Sequence, residues 1–303
     1  MRPDDWYSTQ DLTGFLAHAG GFLRSRPDLH TVALTVTETL RTNGLRSYGD
    51  EAPVFGALEL DGQVRAAYFR TPPYHLNVTP LTPEEADSLA AHLAALGQAV
   101  PGVIAARETA EAFSAAWRRH AGARGTVRQR QRLYRLGNLT VPQPVPAGRA
   151  RVAGTTDREQ LSRWHGEFVE AAGHVAARGD GAWADSRISY GGVTFWESED
   201  GTPLAMAGVS PAVAGQVRVG PVYTPAPLRG RGYGGAVTAS VTRAVLASGV
   251  REVLLFTDLD NRTSNGLYQR IGYRAVADFV TYDFRDGRGS RPGEGPASGA
   301  LPS

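Results

Sequence analysis

The second half of the chain alternates strand-like and helix-like hydrophobic patterns in a regular order. Residues 151–153 read as a strand, and Thr156 or Asp157 caps a helix over 158–171. A second short helix is expected at 180–189. The apolar runs 193–198 and 203–209 flank Glu199-Asp200-Gly201-Thr202, which reads as a hairpin. A strand at 216–224 leads through a proline-bounded turn into the glycine-dense run 228–235. A helical stretch over 236–248 and a strand at 253–257 follow. Gly272 ends the next helix, and 274–284 closes the series as a strand.

The first half repeats much of this order. Residues 53–60 and 63–70 flank Asp61-Gly62, a hairpin signal. A short strand at 74–78 precedes Pro80-Leu81-Thr82-Pro83, and Thr82 is a suitable N-cap for a helix over 84–96. A strand at 100–106, a helix at 108–120 and a strand at 126–136 complete it. Both halves therefore read hairpin, strand, turn, helix, strand, helix, strand. The stretch 141–148, rich in proline and glycine, reads as a linker. This divides the chain into domains 1–140 and 149–285, with a tail at 286–303 expected to be disordered because it has almost nothing to bury.

Composition narrows the chemistry. There is no cysteine, which excludes disulfides, Cys-based metal sites and an acyl-cysteine intermediate. The net charge of +2 is too small for a whole-protein field that draws nucleic acid. The local series Arg118, Arg119, Arg124, Arg128, Arg130, Arg132 and Arg135 reads as a solvated or ion-paired face. No apolar run approaches a membrane span, and the N-terminal residues lack a signal-peptide core, so no membrane role and a cytoplasmic location are expected.

The glycine-dense run carries the strongest functional signal. Leu228-Arg229-Gly230-Arg231-Gly232-Tyr233-Gly234-Gly235 follows a strand and opens a helix. Such a turn offers backbone N–H groups at a positive dipole end, which suits a diphosphate. The run also satisfies GxGxxG, with Asp258 about where a ribose-binding acid falls. In a dinucleotide unit, however, the first glycine follows its strand directly, and here six residues, 224–229, intervene. The corresponding stretch of the first half, Leu81-Thr82-Pro83-Glu84-Glu85-Ala86, has no glycine, and its two glutamates would repel a diphosphate.

Arg229-x-x-Gly232-x-Gly234 after Val222-Tyr223-Thr224, followed by Asn261-x-x-Ser264-x-x-Leu267-Tyr268 and Gly272-Tyr273, resembles the paired motifs of the GNAT superfamily of acyl-CoA N-acyltransferases. The resemblance covers about residues 149–284. It implies a mixed α/β, α+β-like fold: two GNAT-like domains, each a mostly antiparallel sheet with a central parallel strand pair flanked by helices. Only the second domain is expected to keep the cofactor loop.

The resemblance also implies roles. Acetyl-CoA is the expected acyl donor. The backbone of Val222, Tyr223 and Thr224 would pair with the pantetheine arm, with the Val222 N–H as oxyanion donor. Arg229, Gly230, Arg231, Gly232, Tyr233, Gly234 and Gly235 would hold the pyrophosphate. Asn261 and Asn265 match positions that bond the pantetheine or nucleotide side, and Tyr268 matches the general acid that protonates the departing thiolate. No carboxylate lies in 216–224, so the base is open among Glu167, Glu170, His165, His174, Asp258 and an ordered water. Glu167 is the candidate carried forward. The expected activity is acetyl transfer to a primary amine of a small molecule or peptide; the alternative is a non-catalytic acyl-CoA-binding regulator. Acceptor, acyl length and oligomeric state are not legible.

Overall fold

The computed structural model describes residues 5–171 and 180–285. His174 and the tail expected at 286–303 lie outside them. The chain separates into two compact units. One runs to Arg132 and resumes at Val276; the other spans Leu133–Ala275.

The first unit opens with β1 (Trp6–Thr9), α1 (Leu12–Ser25) and α2 (Thr31–Asn43), none of which the sequence patterns above announce. Asp11 caps α1 through a bond accepted from the Thr13 N–H at 2.9 Å. Threonine is a weak helix former, yet α2 carries several. Thr35, Thr37, Thr39 and Thr42 satisfy their hydroxyls on carbonyls one turn back, at 2.7–2.9 Å. Burial of Phe15, Leu23, Val36 and Leu40 holds both helices in place, each side chain contributing about 1.5–3 kcal/mol. Phe15 stacks on Phe55 with ring centroids 5.0 Å apart.

Then come β2 (Val54–Leu60), β3 (Gln63–Arg70), β4 (Leu76–Val78), α3 (Pro83–Ala95), β5 (Gly102–Ala106), α4 (Arg107–Ala121) and β6 (Arg124–Leu136). Strands β1 to β5 lie side by side in chain order and are antiparallel except for β4 and β5, where Leu76 and Asn77 pair in parallel with Val103 and Ile104. On the other side of β5 lies chain from the far end of the sequence: Phe279–Asp283 pairs antiparallel with Gly102–Ala106. The core beneath gathers Tyr68, Leu89, Phe113 and Trp117 with Val280.

The plan repeats in β7 (Arg149–Val152), α5 (Arg158–Ala171), α6 (Asp180–Ile188), β8 (Val193–Glu197), β9 (Pro203–Val209), β10 (Gln216–Tyr223), α7 (Tyr233–Ala247), β11 (Glu252–Asp258), α8 (Arg262–Ile271) and β12 (Tyr273–Arg285), of which all but the part of β12 from Val276 onward belongs to the second unit. Strands β7 to β11 run in order, antiparallel except for the β10–β11 pair. Helix α7 begins three residues earlier than the pattern suggests, because Gly234 and Gly235 join its first turn.

Two apolar clusters cover the faces of this unit's sheet. One joins Trp164 of α5 with Phe195, Met206 and Tyr223. The other joins Val237 and Val241 of α7 with Val219, Tyr268, Tyr273 and the half-buried Val222.

Residues 141–148, expected as a linker, fall inside this second unit. The Trp196 indole donates to the Ala147 carbonyl at 3.1 Å, and the Thr140 N–H to Ile271 at 2.8 Å. The compact units divide within β6 and within β12, at 132/133 and 275/276.

The arginine series lies partly in ion pairs. Arg132 grips Asp278 through two bonds at 2.6 and 3.0 Å, and Arg119 reaches Asp87 at 2.6 Å. Among the described residues no helix is long and apolar enough to cross a membrane.

Candidate functional site

Strand β10 is regular only as far as Val219. Up to that point it pairs in parallel with β11, Gln216–Val219 against Glu252–Leu255. On its other side Val219 faces Val209, while Val222 faces Ala207, so three steps on β10 match two on β9. Beyond the irregularity β10 continues through Val222 and Tyr223, and β11 through Asp258, with no further pairing between them. The two strands of the parallel pair thus part at their C-terminal ends, where an open α/β sheet receives ligands.

Adjacent strand residues face opposite sides. Here Val222 joins the Tyr268 cluster and Tyr223 the Trp164 cluster.

The chain then reaches the N-terminus of α7. Gly232 is its N-cap, with φ 85° and ψ −6°, a left-handed conformation that costs other residues about 1–3 kcal/mol. No side chain caps this end, and the first N–H used within the helix is that of Ala236, which donates to the Gly232 carbonyl at 3.0 Å. The amides of Tyr233, Gly234 and Gly235 precede it, at the positive end of the helix dipole. Arg229 and Arg231 are exposed beside them, with Arg229 Nε on the Thr224 carbonyl at 3.0 Å. A Cβ on Gly235 would lie 3.0 Å from Leu267 Cδ1 and 3.6 Å from Pro142 Cγ, so the proline-rich segment walls one side of the turn.

Helix α3, in the matching place of the first unit, is closed. Pro83 has no N–H at its first position, Thr82 Oγ1 accepts from the Glu85 N–H at 3.2 Å, and the Glu85 carboxylate accepts from the Thr82 N–H at 2.8 Å.

Tyr268 of α8 is 7 % exposed, with its ring 6.2 Å from that of Tyr273. Its hydroxyl has no hydrogen-bond partner among the described residues, and burial pushes its pKa up to about 12. Thr242 bonds the Tyr273 hydroxyl at 2.8 Å, so the two neighbouring phenols differ in kind.

The asparagines are turned to local work. Asn261 caps α8 by accepting from the Ser264 N–H at 3.0 Å. Asn265 donates to the Asp258 and Asn261 carbonyls, both at 2.8 Å, and accepts from the Tyr134 hydroxyl at 2.9 Å. Together they fix the loop between β11 and α8, which carries Tyr268, rather than presenting free amides.

The base candidates also separate. Glu167 Oε2 accepts from the Tyr223 hydroxyl at 2.5 Å. Glu170 is exposed, and His165 stacks flat on Trp183 with centroids 4.0 Å apart. Asp258 closes a turn, accepting from the Asp260 N–H at 2.8 Å. Sequence reasoning assigned Tyr223 a backbone role only; its side-chain link to a helix 56 residues away has no local signature.

Residues 211–282 match the model of the FR47-like protein family. No curated protein sequence matches the chain. Solved structures resemble it along most of its length. A GNAT-family acetyltransferase from Colwellia psychrerythraea is 10 % identical over 92 % of this chain and 99 % of its own, with a TM-score of 0.59. A GCN5-related N-acetyltransferase from Sphaerobacter thermophilus is 19 % identical over 93 % and 96 %, at 0.60. A tandem GNAT protein from the clavulanic acid biosynthesis pathway is 12 % identical over 94 % and 100 %, at 0.57. With the FR47-like segment in its second unit and the plan of that unit repeated in the first, the chain has the tandem GNAT fold.

Proposed function

We propose that the protein is an N-acetyltransferase that moves the acetyl group of acetyl-CoA directly to a primary amine of a small molecule or peptide, with the chemistry in the second unit. One observation carries the reading. The uncapped N-terminus of α7 stands at the end of a strand pair that parts just before it, and Tyr268 offers an unengaged hydroxyl from the flanking helix.

The glycine turn fits a diphosphate: Gly232 holds the left-handed φ of 85° that opens the turn, and Arg229 and Arg231 add charge at its rim. When bound, acetyl-CoA supplies a thioester carbonyl as the electrophile. The backbone of Val222, Tyr223 and Thr224 receives the pantetheine arm as an added strand along the edge of β10 that faces β11, where their pairing has ended. The Val222 N–H polarises the acyl oxygen. Tyr268 holds a proton for the leaving sulfur, a role its raised pKa preserves throughout the neutral range. Glu167 holds the acceptor amine and takes its proton. Asn261 and Asn265 serve the site by fixing the loop before Tyr268.

The first unit binds no coenzyme in this reading, because Pro83, Thr82 and Glu85 occupy the helix end that a diphosphate needs. The test is an amine panel with acetyl-CoA, following free thiol and N-acetyl product. Thiol release that depends on one class of amine supports transfer. Tight acetyl-CoA binding with no product from any amine favours a regulatory acyl-CoA sensor instead.

A further inference from the structure

Glu167 lies one turn beyond Trp164 on α5, at the flank of the helix face that Trp164 buries against the strands. The Trp164 ring is 5.8 Å from that of Tyr223 and 5.6 Å from that of Phe195, which locks this turn of α5 to the sheet. Tyr223, 8 % exposed, projects from the last residue of β10, past the point where the parallel pairing ends. Its hydroxyl meets Glu167 Oε2 at 2.5 Å. Oε1 has no hydrogen-bond partner among the described residues.

Several charged groups stand on the elements packed around α5. Asp185 of α6 is held by Arg158 at 2.6 Å, and Asp157 by Arg151 at 2.8 Å. Arg187 of α6 donates to the Tyr190 hydroxyl and the Val209 carbonyl. Arg218 of β10 is buried, and Arg229 lies near enough to act on the Tyr223 hydroxyl.

We propose, on the acetyl-transfer reading above, that Tyr223 is a positioning residue: its hydroxyl pins one oxygen of Glu167 so that the other receives the ammonium group of the acceptor. Burial, followed by the bond to Glu167, pushes the Tyr223 phenol up to about 12, so it remains a donor across the working range.

The proton balance is simple. The ammonium gives one proton to Glu167 Oε1 and becomes a neutral amine. The N–C bond forms as the C–S bond breaks, the attacking nitrogen sheds one further proton to solvent as the amide forms, and the thiolate takes the Tyr268 proton. Glu167 then loses its proton to solvent, and Tyr268 regains one. The carboxylate stands on the Tyr223 side of β10 and Tyr268 on the Val222 side, so proton removal and proton delivery come from opposite faces of the strand.

The test uses the full chain with Tyr223→Phe, Glu167→Gln and the double variant. With an accepted amine, Tyr223→Phe should lower kcat/KM roughly 10- to 100-fold at neutral pH, the range expected for a hydrogen bond to a charged group. Acetyl-CoA affinity and melting midpoint should stay near those of the parent. The deficit should shrink as pH rises above the amine's own pKa, where little ammonium remains to be deprotonated. The double variant should be no worse than Glu167→Gln alone.

A pH-independent loss, or additive effects, overturns the inference in favour of packing. A binding arm keeps it decidable without turnover: calorimetric titration of the coenzyme A-loaded protein with n-butylamine. Binding that weakens in Tyr223→Phe and is lost in Glu167→Gln supports the inference. Absent or unaltered binding overturns it, whereas thiol release with no amine in the panel sinks only the acetyl-transfer reading.

Discussion

Thr82 and Glu85 satisfy one another at the start of α3, each side chain bonding the other's backbone N–H at 3.2 and 2.8 Å. The exchange stabilises the helix and uses the amides and dipole end that α7 leaves open. The same topological position is thus self-capped in one unit and has no side-chain cap in the other. Thr82→Ala should therefore lower stability by about 1 kcal/mol while leaving acetyl-CoA affinity unchanged. Thermal melting with and without acetyl-CoA checks both halves; loss of the ligand-induced shift would place the coenzyme in the first unit.

Tyr268→Phe removes the unengaged hydroxyl and keeps the ring that packs against Tyr273. Turnover should fall about 10²- to 10⁴-fold, the range for losing a positioned acid, with acetyl-CoA affinity retained. A thiol leaves readily, so the lower end is expected. Single-turnover rates decide: unchanged chemistry removes Tyr268 from the mechanism, and lost binding makes it structural.

Gly272 ends α8 at φ 107°, and a Cβ there would lie 1.9 Å from the Asn138 carbonyl oxygen. Gly272→Ala combines backbone strain with a backbone clash and should cost several kcal/mol. Chemical denaturation measures it. A near-neutral variant would mean that residues 137–140 yield easily, contrary to their bonds to Ile271 and Gly272.

Stability should also fall in acid through one cluster. Arg151 donates to Glu197 Oε2 at 2.6 Å and to Asp157 at 2.8 and 3.0 Å, holding both carboxyls below their usual range. A depressed folded pKa contributes stability that is complete above the unfolded value of about 4 and is lost as pH drops through the folded one. The contribution of this cluster to the melting midpoint should therefore be constant from pH 7 to about 5 and be lost below about 4. Arg151→Gln should melt lower at pH 7 and show a shallower acid decline; an equally steep decline would assign it to other groups.

Much of this was legible in the sequence where the signal is local. The hairpin at Asp61-Gly62, the cap at Thr82, the helix at 158–171 and the glycine turn before α7 all rest on neighbouring residues, and the structure has them. Helices α1 and α2 were silent because glycine at 14, 20 and 21 and the threonines of α2 hide a helical period that tertiary burial restores. The unit boundaries were silent too, since β6 and β12 each read as one unbroken strand. At the site, sequence motifs indicated Tyr268 and Gly232, but the local duties of Asn261 and Asn265, the wall formed by Pro142 and the Tyr223–Glu167 contact depend on distant chain segments.

The central claim is that the open N-terminus of α7 is the seat of acetyl-CoA. Calorimetric titration of the full chain and of Gly232→Val with acetyl-CoA tests it most directly, with circular dichroism confirming that the variant is folded. One equivalent bound by the parent, and none by the folded variant, is the predicted result. Two equivalents, undiminished binding by Gly232→Val, or no binding by the parent would contradict it.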